Sequence, residues 1–353
     1  YRRALELRPE NADAHFALGI TLKNRGQIEP ALISLGKAVE LDRNHVEAHI
    51  NLADALRETG ELDRALASYR NALEINPGHA IAHSNLGNAL LDLRRYPEAM
   101  ASYRRAIELD PDFAAAFSNL GSILKDIGEM SDALANTRRA LELAPELTVS
   151  RSNLIFINNY LEDRSCQDVL REAQAFGQIV ARKARPATAW KNLPDPGRRL
   201  RIGFVSGDLR DHAVGHFIEG VLHALRADAA DSLEVFAYPT SVSRDLVSER
   251  IKACCKGWRP VAGLTDEEVV SLVESDGIDI LIDLSGHTAH NRLPVFAWKP
   301  APVQVTWLGY LGTTGVSAID YLIADEWTLP ESEEPNFTET ILRLPETYLC
   351  FTP

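Results

Sequence analysis

Three short stretches of this chain gather residues able to move protons or to hold an anion. The first is Gly207-Asp208-Leu209-Arg210-Asp211-His212, with His216 close behind. The second is Ser285-Gly286-His287-Thr288, followed by His290 and Asn291. The third is Gly309-Tyr310-Leu311-Gly312-Thr313-Thr314-Gly315, with Asp325 beyond it. An imidazole titrates near neutrality, so a loop histidine suits acid–base work or the positioning of a polar group. Loop glycines let main-chain N–H groups turn toward a negatively charged ligand. For His212 taken alone, the plainer alternative is a loop imidazole hydrogen-bonded to Asp208 or Asp211.

Each of these stretches follows a short apolar run. Such runs occur at Leu200–Ser206, Leu233–Tyr238, Ile278–Leu284, Val303–Leu308 and Ile319–Ala324. Helical patterns at Phe217–Arg226, Asp245–Cys255 and Glu267–Glu274 separate the earlier ones. Near-continuous apolar strands alternating with helices predict a largely parallel sheet covered on both faces, a doubly wound α/β domain or half of one. In such sheets ligands bind beyond the carboxyl ends of the strands, where these polar stretches fall. No Gly-x-Gly-x-x-Gly follows the first strand, so the usual dinucleotide fingerprint is absent.

Upstream the pattern changes to a 34-residue period. Leu18, Leu52, Leu86, Leu120 and Leu154 recur in phase, as do Ala31, Ala65, Ala99 and Ala133, and Ala38, Ala72, Ala106 and Ala140. Gly26, Gly60 and Gly128 share another phase, with Arg94 in the remaining register, and Pro77, Pro111 and Pro145 close successive units. Small residues at helix crossings, a turn residue and a terminating proline predict stacked helix–turn–helix repeats. The pattern resembles tetratricopeptide repeats, although Trp is absent from its usual early position. Asn51, Asn85, Asn119 and Asn153 each precede a phased leucine. A row of amides, each with donors and an acceptor, suits an extended peptide backbone lying in the repeat groove. The plainer alternative for any one of them is a helix-crossing amide or a local cap.

The 353 residues predict two domains, each large enough for its own core. A net charge of −13 argues against phosphate-backbone binding, so no nucleic-acid partner is expected. No apolar run reaches membrane-spanning length, so no membrane partner is expected either. Four cysteines, two of them adjacent at Cys254 and Cys255, form neither a metal spacing nor a disulfide framework. They read as buried or semi-buried thiols in a reducing, cytoplasmic setting. The expected division is a repeat solenoid over 1–163, a helical and proline-rich connector over 164–199, and an α/β domain over 200–353. The helix near Gln167–Lys183 is expected to pack on the end of the solenoid, and Pro186, Pro194, Pro196 and Gly197 to form an irregular link. Both ends look cut: Tyr1–Pro9 matches the second half of a repeat, and the chain stops just after a strand-like Ile341–Leu344.

Repeats followed by Arg201-Ile202-Gly203-Phe204-Val205-Ser206-Gly207-Asp208, then Asp211-His212, Pro300-Ala301-Pro302-Val303-Gln304 and Trp307-Leu308-Gly309-Tyr310 resemble the O-linked N-acetylglucosamine transferases, including their SPINDLY branch. The resemblance implies the first Rossmann-like lobe of a GT-B glycosyltransferase, with the second lobe missing from this chain. It implies transfer of N-acetylglucosamine from UDP-N-acetylglucosamine to Ser or Thr of proteins, with inversion and without a metal or other cofactor. The partners implied are a nucleotide sugar and protein or peptide acceptors recruited by the repeats. It makes His212 the active-site histidine, as base or as positioning group, and sets His287 at the cleft. It also brings Gly312, Thr313 and Thr314 to the sugar-donor site, on a loop that Leu311 loosens by standing where the family usually has proline. His216 and His290 are read as structural, and Asp320 and Asp325 as solvated or capping. Two alternatives stay open: fucose from GDP-fucose, as in the SPINDLY branch, and a non-enzymatic repeat scaffold.

Overall fold

The computed structural model describes residues 1–161, 165–192, 195, 197–242 and 245–349. Pro194, Pro196, Cys350 and the last three residues lie outside them. The chain divides into two compact units, Tyr1–Ser150 and Arg151–Pro353.

The first unit is all helix. After α1 (Arg2–Leu7) come the pairs α2 (Ala12–Lys23) and α3 (Ile28–Leu41), then α4 (Val46–Glu58) and α5 (Leu62–Ile75). Next are α6 (Ala80–Asp92) with α7 (Tyr96–Leu109), and α8 (Ala114–Asp126) with α9 (Met130–Leu143). Each helix packs on its partner and on the next pair, as stacked repeats require. The phased alanines Ala31, Ala65, Ala99, Ala133, Ala38, Ala72, Ala106 and Ala140 are all fully buried, so a larger side chain at any of them would push paired helices apart. The turn inside each pair needs a left-handed residue. Gly26, Gly60 and Gly128 supply it at φ 71°, 80° and 87°, and Arg94 adopts the same geometry at φ 57° without being glycine.

The second unit is a seven-stranded, all-parallel sheet with helices on both faces. In chain order it carries α10 (Thr148–Asn158, which begins just before the division), α11 (Cys166–Lys183), β1 (Leu200–Ser206), α12 (Ala213–Asp228), β2 (Leu233–Pro239) and α13 (Leu246–Cys254). There follow β3 (Gly257–Trp258), α14 (Asp266–Asp276), β4 (Ile280–Asp283), β5 (Val303–Thr306), β6 (Tyr321–Ala324) and β7 (Thr340–Arg343). The strand order is β3-β2-β1-β4-β5-β6-β7, and every pairing is parallel. The two-residue β3 carries too little pattern to be visible in the sequence.

Alternation along the strands feeds two cores. Phe204, Val235, Ala237 and Ile282 pack with Ile218 and Leu222 of α12 and Ile251 of α13. Val205, Phe236, Tyr238 and Leu281 point the other way, toward Val269 and Val273 of α14 and Ala173, Phe176 and Val180 of α11. The expected connector helix does meet the last phased helix, Arg151 of α10 pairing with Glu172 at 2.7 Å, but it is more than a connector. The helix from Cys166 is a face of the α/β core, because its apolar stripe of Leu170, Ala173, Phe176 and Val180 is what covers one side of the sheet. Among the described cysteines, Cys254 is buried and Cys255 partly so, with burial pushing the Cys255 thiol up to about 12. Cys166 is exposed, unlike the expectation, because it opens α11 on its solvent side. No helix of the described residues is long and apolar enough to cross a membrane.

Candidate active site

The strand order reverses between β1 and β4, and it is beyond the carboxyl ends of the strands at such a switch point that a doubly wound sheet binds its ligands. His212 ends the loop after β1 and is the N-cap of α12. Its Nδ1 accepts the Val214 N–H at 3.3 Å. That bond meets one of the donors a helix start leaves unpaired. Asp208 Oδ2 lies 3.8 Å from the same nitrogen. This is beyond hydrogen-bond range. Asp211 instead takes His216, whose Nε2 is 2.9 Å from Asp211 Oδ1. An Nδ1 that accepts a main-chain N–H fixes the neutral tautomer with its proton on Nε2. That Nε2–H has no partner among the described residues, and 43 % of the side chain is exposed. His212 therefore offers its Nε2–H as a hydrogen-bond donor at the carboxyl edge of the sheet.

The loop after β4 is tied down from inside. Asp283 is fully buried, and burial pushes its carboxyl up to about 6 against hydrogen bonds from Thr306 Oγ1 at 2.8 Å and the N–H groups of Gly286 and Ser285. His287 is 1 % exposed. Its Nδ1 pairs with Ser152 Oγ at 3.0 Å and its Nε2 with the Thr314 carbonyl at 3.0 Å. A carbonyl can only accept, so Nε2 is the donor and Nδ1 accepts. Phe176 and Tyr310 present T-shaped ring contacts, and burial pulls the imidazole down to about 4. This corrects the expectation that His287 lines a cleft: both nitrogens are engaged in the core, and the ring serves as a neutral brace. His290 is exposed, at φ 59°.

His287 braces the loop that holds Gly312, Thr313 and Thr314. The two threonine side chains are buried, which departs from the expectation that they meet a sugar donor. Both meet Glu339, a residue the sequence reading passed over because its partners lie far upstream. Glu339 Oε2 accepts from Thr313 Oγ1 at 2.7 Å, while Oε1 accepts the Thr314 N–H at 2.8 Å and the Thr314 hydroxyl. On its other side the loop touches α11, Gly315 meeting Gly177 backbone to backbone. These contacts fix the end of the loop at Thr313–Gly315. What it offers a ligand is main chain: the N–H groups of Tyr310, Leu311, Gly312 and Thr313 have no acceptor among the described residues. Asp325, after β6, accepts from the N–H groups of Thr328, Tyr348 and Trp327, which hold its carboxyl well below the usual range. Asp320 pairs with Lys299 and accepts the Gln304 N–H.

In the first unit, Asn51, Asn85 and Asn119 sit at one register of α4, α6 and α8. Asn85 Nδ2 donates to Asp54 Oδ1 at 3.1 Å and Asn119 Nδ2 to Asn88 Oδ1 at 3.0 Å, each reaching the preceding repeat. Those acceptors also take Tyr69 OH at 2.5 Å and Tyr103 OH at 2.7 Å. Asn51 differs: its Nδ2 caps the Glu47 carbonyl and its Oδ1 takes Lys23. Asn153 falls in the second unit and is buried. Asp54, Asn88, Tyr69 and Tyr103 were missed, although Asp54 and Asn88, and likewise Tyr69 and Tyr103, share the 34-residue period that would have exposed them.

Sequence comparison decides the family. The sequence model of glycosyl transferase family 41 matches residues 173–351, just over half of the chain, and tetratricopeptide-repeat models match 1–32, 53–94 and 87–128. The chain belongs to glycosyl transferase family 41. Among family 41 relatives, a probable UDP-N-acetylglucosamine–peptide N-acetylglucosaminyltransferase SPINDLY of Petunia hybrida is 39 % identical over 199 residues, covering 55 % of this chain and 21 % of the relative. The UDP-N-acetylglucosamine–peptide N-acetylglucosaminyltransferase of Caenorhabditis elegans is 35 % identical over 160 residues, 43 % of this chain and 13 % of its own. A solved mutant O-GlcNAc transferase from Thermobaculum terrenum superposes with a TM-score of 0.79 at 36 % identity, covering 86 % of this chain and 58 % of that one. The chain spans about a fifth of the length of the SPINDLY relatives. The family 41 match begins inside α11, in keeping with that helix belonging to the α/β core.

Proposed function

We propose that the protein carrying this chain transfers N-acetylglucosamine from UDP-N-acetylglucosamine to Ser or Thr hydroxyls of proteins, with inversion. The repeat unit would hold the acceptor segment. The observation that carries this reading is the likeness, across 86 % of the chain, to a solved O-GlcNAc transferase. In the reaction the acceptor oxygen bonds to the anomeric carbon while the bond to the diphosphate breaks, and the nucleoside diphosphate leaves with the electron pair. Charge building on the diphosphate calls for positioned donors. The unpaired N–H groups of Tyr310–Thr313 and the Nε2–H of His212 are the donors this chain would bring, without a metal. With Nδ1 occupied by the helix cap, His212 acts as a positioning donor, and the acceptor proton passes to the departing diphosphate, the base that the bond cleavage itself creates.

The repeats supply the second half of the reading. Asn85 and Asn119 are half-buried and their carbonyl oxygens have no donor among the described residues, so each can accept a peptide N–H. The test is mass spectrometry of acceptor peptides incubated with the protein and either UDP-N-acetylglucosamine or GDP-fucose. A hexosamine mass gain lost in H212N supports the proposal. A deoxyhexose gain replaces the donor assignment, and peptide capture with neither gain leaves a scaffold.

A further inference from the structure

Glu339 is a buried carboxylate that meets no cation. It is 5 % exposed, yet none of the ion pairs among the described residues includes it. Burying an unpaired carboxylate is costly unless neutral donors replace its water. Here the donors all come from one place, the two threonines that end the loop after β5. Thr313 Oγ1, having donated to Glu339, accepts the N–H groups of Thr338 at 3.1 Å and Gly315 at 3.3 Å. Thr314 Oγ1 likewise accepts the Val316 N–H at 3.2 Å. One carboxylate thus orders the hydroxyls that fix the end of the loop, directly after the four unpaired N–H groups of Tyr310–Thr313. A cation in place of these donors would neutralise the charge without fixing the backbone.

We infer that Glu339 is a positioning residue for the sugar-nucleotide donor: through Thr313 and Thr314 it holds the Tyr310–Thr313 N–H groups in the arrangement that meets charge developing on the diphosphate. This rests on the transferase reading above. Glu339 acts through the loop and touches no substrate. Its loss should therefore lower turnover while leaving acceptor binding alone.

The test compares E339A and E339Q with the wild-type protein in donor turnover, followed by UDP or GDP release from whichever nucleotide sugar the wild type uses. Hydrogen exchange of residues 309–316 is measured on the same samples. In E339Q the Oε1 atom still receives Thr314, but the Nε2 group faces a Thr313 oxygen that already accepts two N–H groups. The expected order is a kcat loss of roughly 10-fold for E339Q and 100-fold for E339A, the size of one misplaced donor set. The acceptor KM should stay within about threefold, and exchange at 309–316 should rise in the same order. Turnover by E339Q within twofold of wild type, with the loop exchanging faster, would overturn the inference while the transferase reading stood. Wild-type protein that turns over neither nucleotide sugar would remove both. If E339A fails to fold, the comparison stands on E339Q.

Discussion

A Cβ placed on Gly177 would lie 1.7 Å from the carbonyl oxygen of Gly315. The reverse contact is as close, 1.9 Å from a Cβ on Gly315 to the Ala173 carbonyl. Helix α11 and the loop after β5 thus touch backbone to backbone, and neither glycine admits a side chain. Gly177→Ala should destabilise the second unit by about 3 kcal/mol, at the upper end for overpacking, since no rotamer can relieve a main-chain clash. Chemical denaturation checks it; a loss below about 1 kcal/mol, under the usual overpacking range, would mean that the helix and loop are not in contact.

Acid should act on this unit through two buried groups with opposite signs. His287 titrates near 6.5 when unfolded and about 4 when folded, so between those values only the unfolded chain takes the proton, and stability falls as pH drops. Asp283 rises from 3.8 to about 6, so there the folded chain holds the proton and stability falls as pH rises. The two slopes oppose each other between about pH 4 and 6. In D283N only the histidine slope remains, and urea midpoints should decline steadily from about pH 6.5 to 4. A D283N profile no steeper than wild type would refute the assignment.

Arg94 occupies a left-handed turn position that its sister repeats give to glycine. The strain for a non-glycine residue is about 1–2 kcal/mol, and the entropy lost on fixing glycine recovers about half of that. Arg94→Gly should therefore stabilise the repeat unit by roughly 0.5–1 kcal/mol. A lowered melting temperature would show that the arginine side chain makes a compensating contact.

His212 has a structural and a chemical end, and two substitutions separate them. Asn can cap α12 as Nδ1 does, whereas Ala cannot and should cost about 1 kcal/mol. H212N is expected to keep wild-type stability and H212A to lose it, while both lose glycosyl transfer because both lack the Nε2–H. Transfer retained by H212N would confine the residue to capping.

Peptide capture by the repeats should weaken by roughly fivefold for each of Asn85→Ala and Asn119→Ala, the value of one net hydrogen bond. Fluorescence anisotropy of a labelled acceptor peptide reads it, and H212N is the control with capture intact. Equal affinity in all variants would make these amides purely structural.

The repeats were legible because every helix pair poses the same steric problem, so Ala31 and its counterparts announce it four times over. The strands were legible for a similar reason, since burial on both faces leaves unbroken apolar runs. The packing of helix α11 on the sheet was not legible because Leu170, Ala173 and Phe176 advertise a buried stripe without saying which surfaces bury it. Glu339 could not be read at all. A lone glutamate before a strand gives no sign that its partners are threonines 25 and 26 residues upstream. His287 misled in the opposite sense, as a histidine after a strand looks available until Ser152, far away in sequence, is found on its Nδ1.

The hydrogen bonds from Asn85 to Asp54 and from Asn119 to Asn88 each cross to the previous repeat over the same 31-residue span. At these two joins each repeat arrives with its own donor and meets an acceptor left by the one before, like tiles cut to a common edge. Deleting the repeat of α6 and α7 whole would set Asn119 against Asp54, whereas a partial deletion breaks the join. The repeat unit is thus built to change length in whole 34-residue steps.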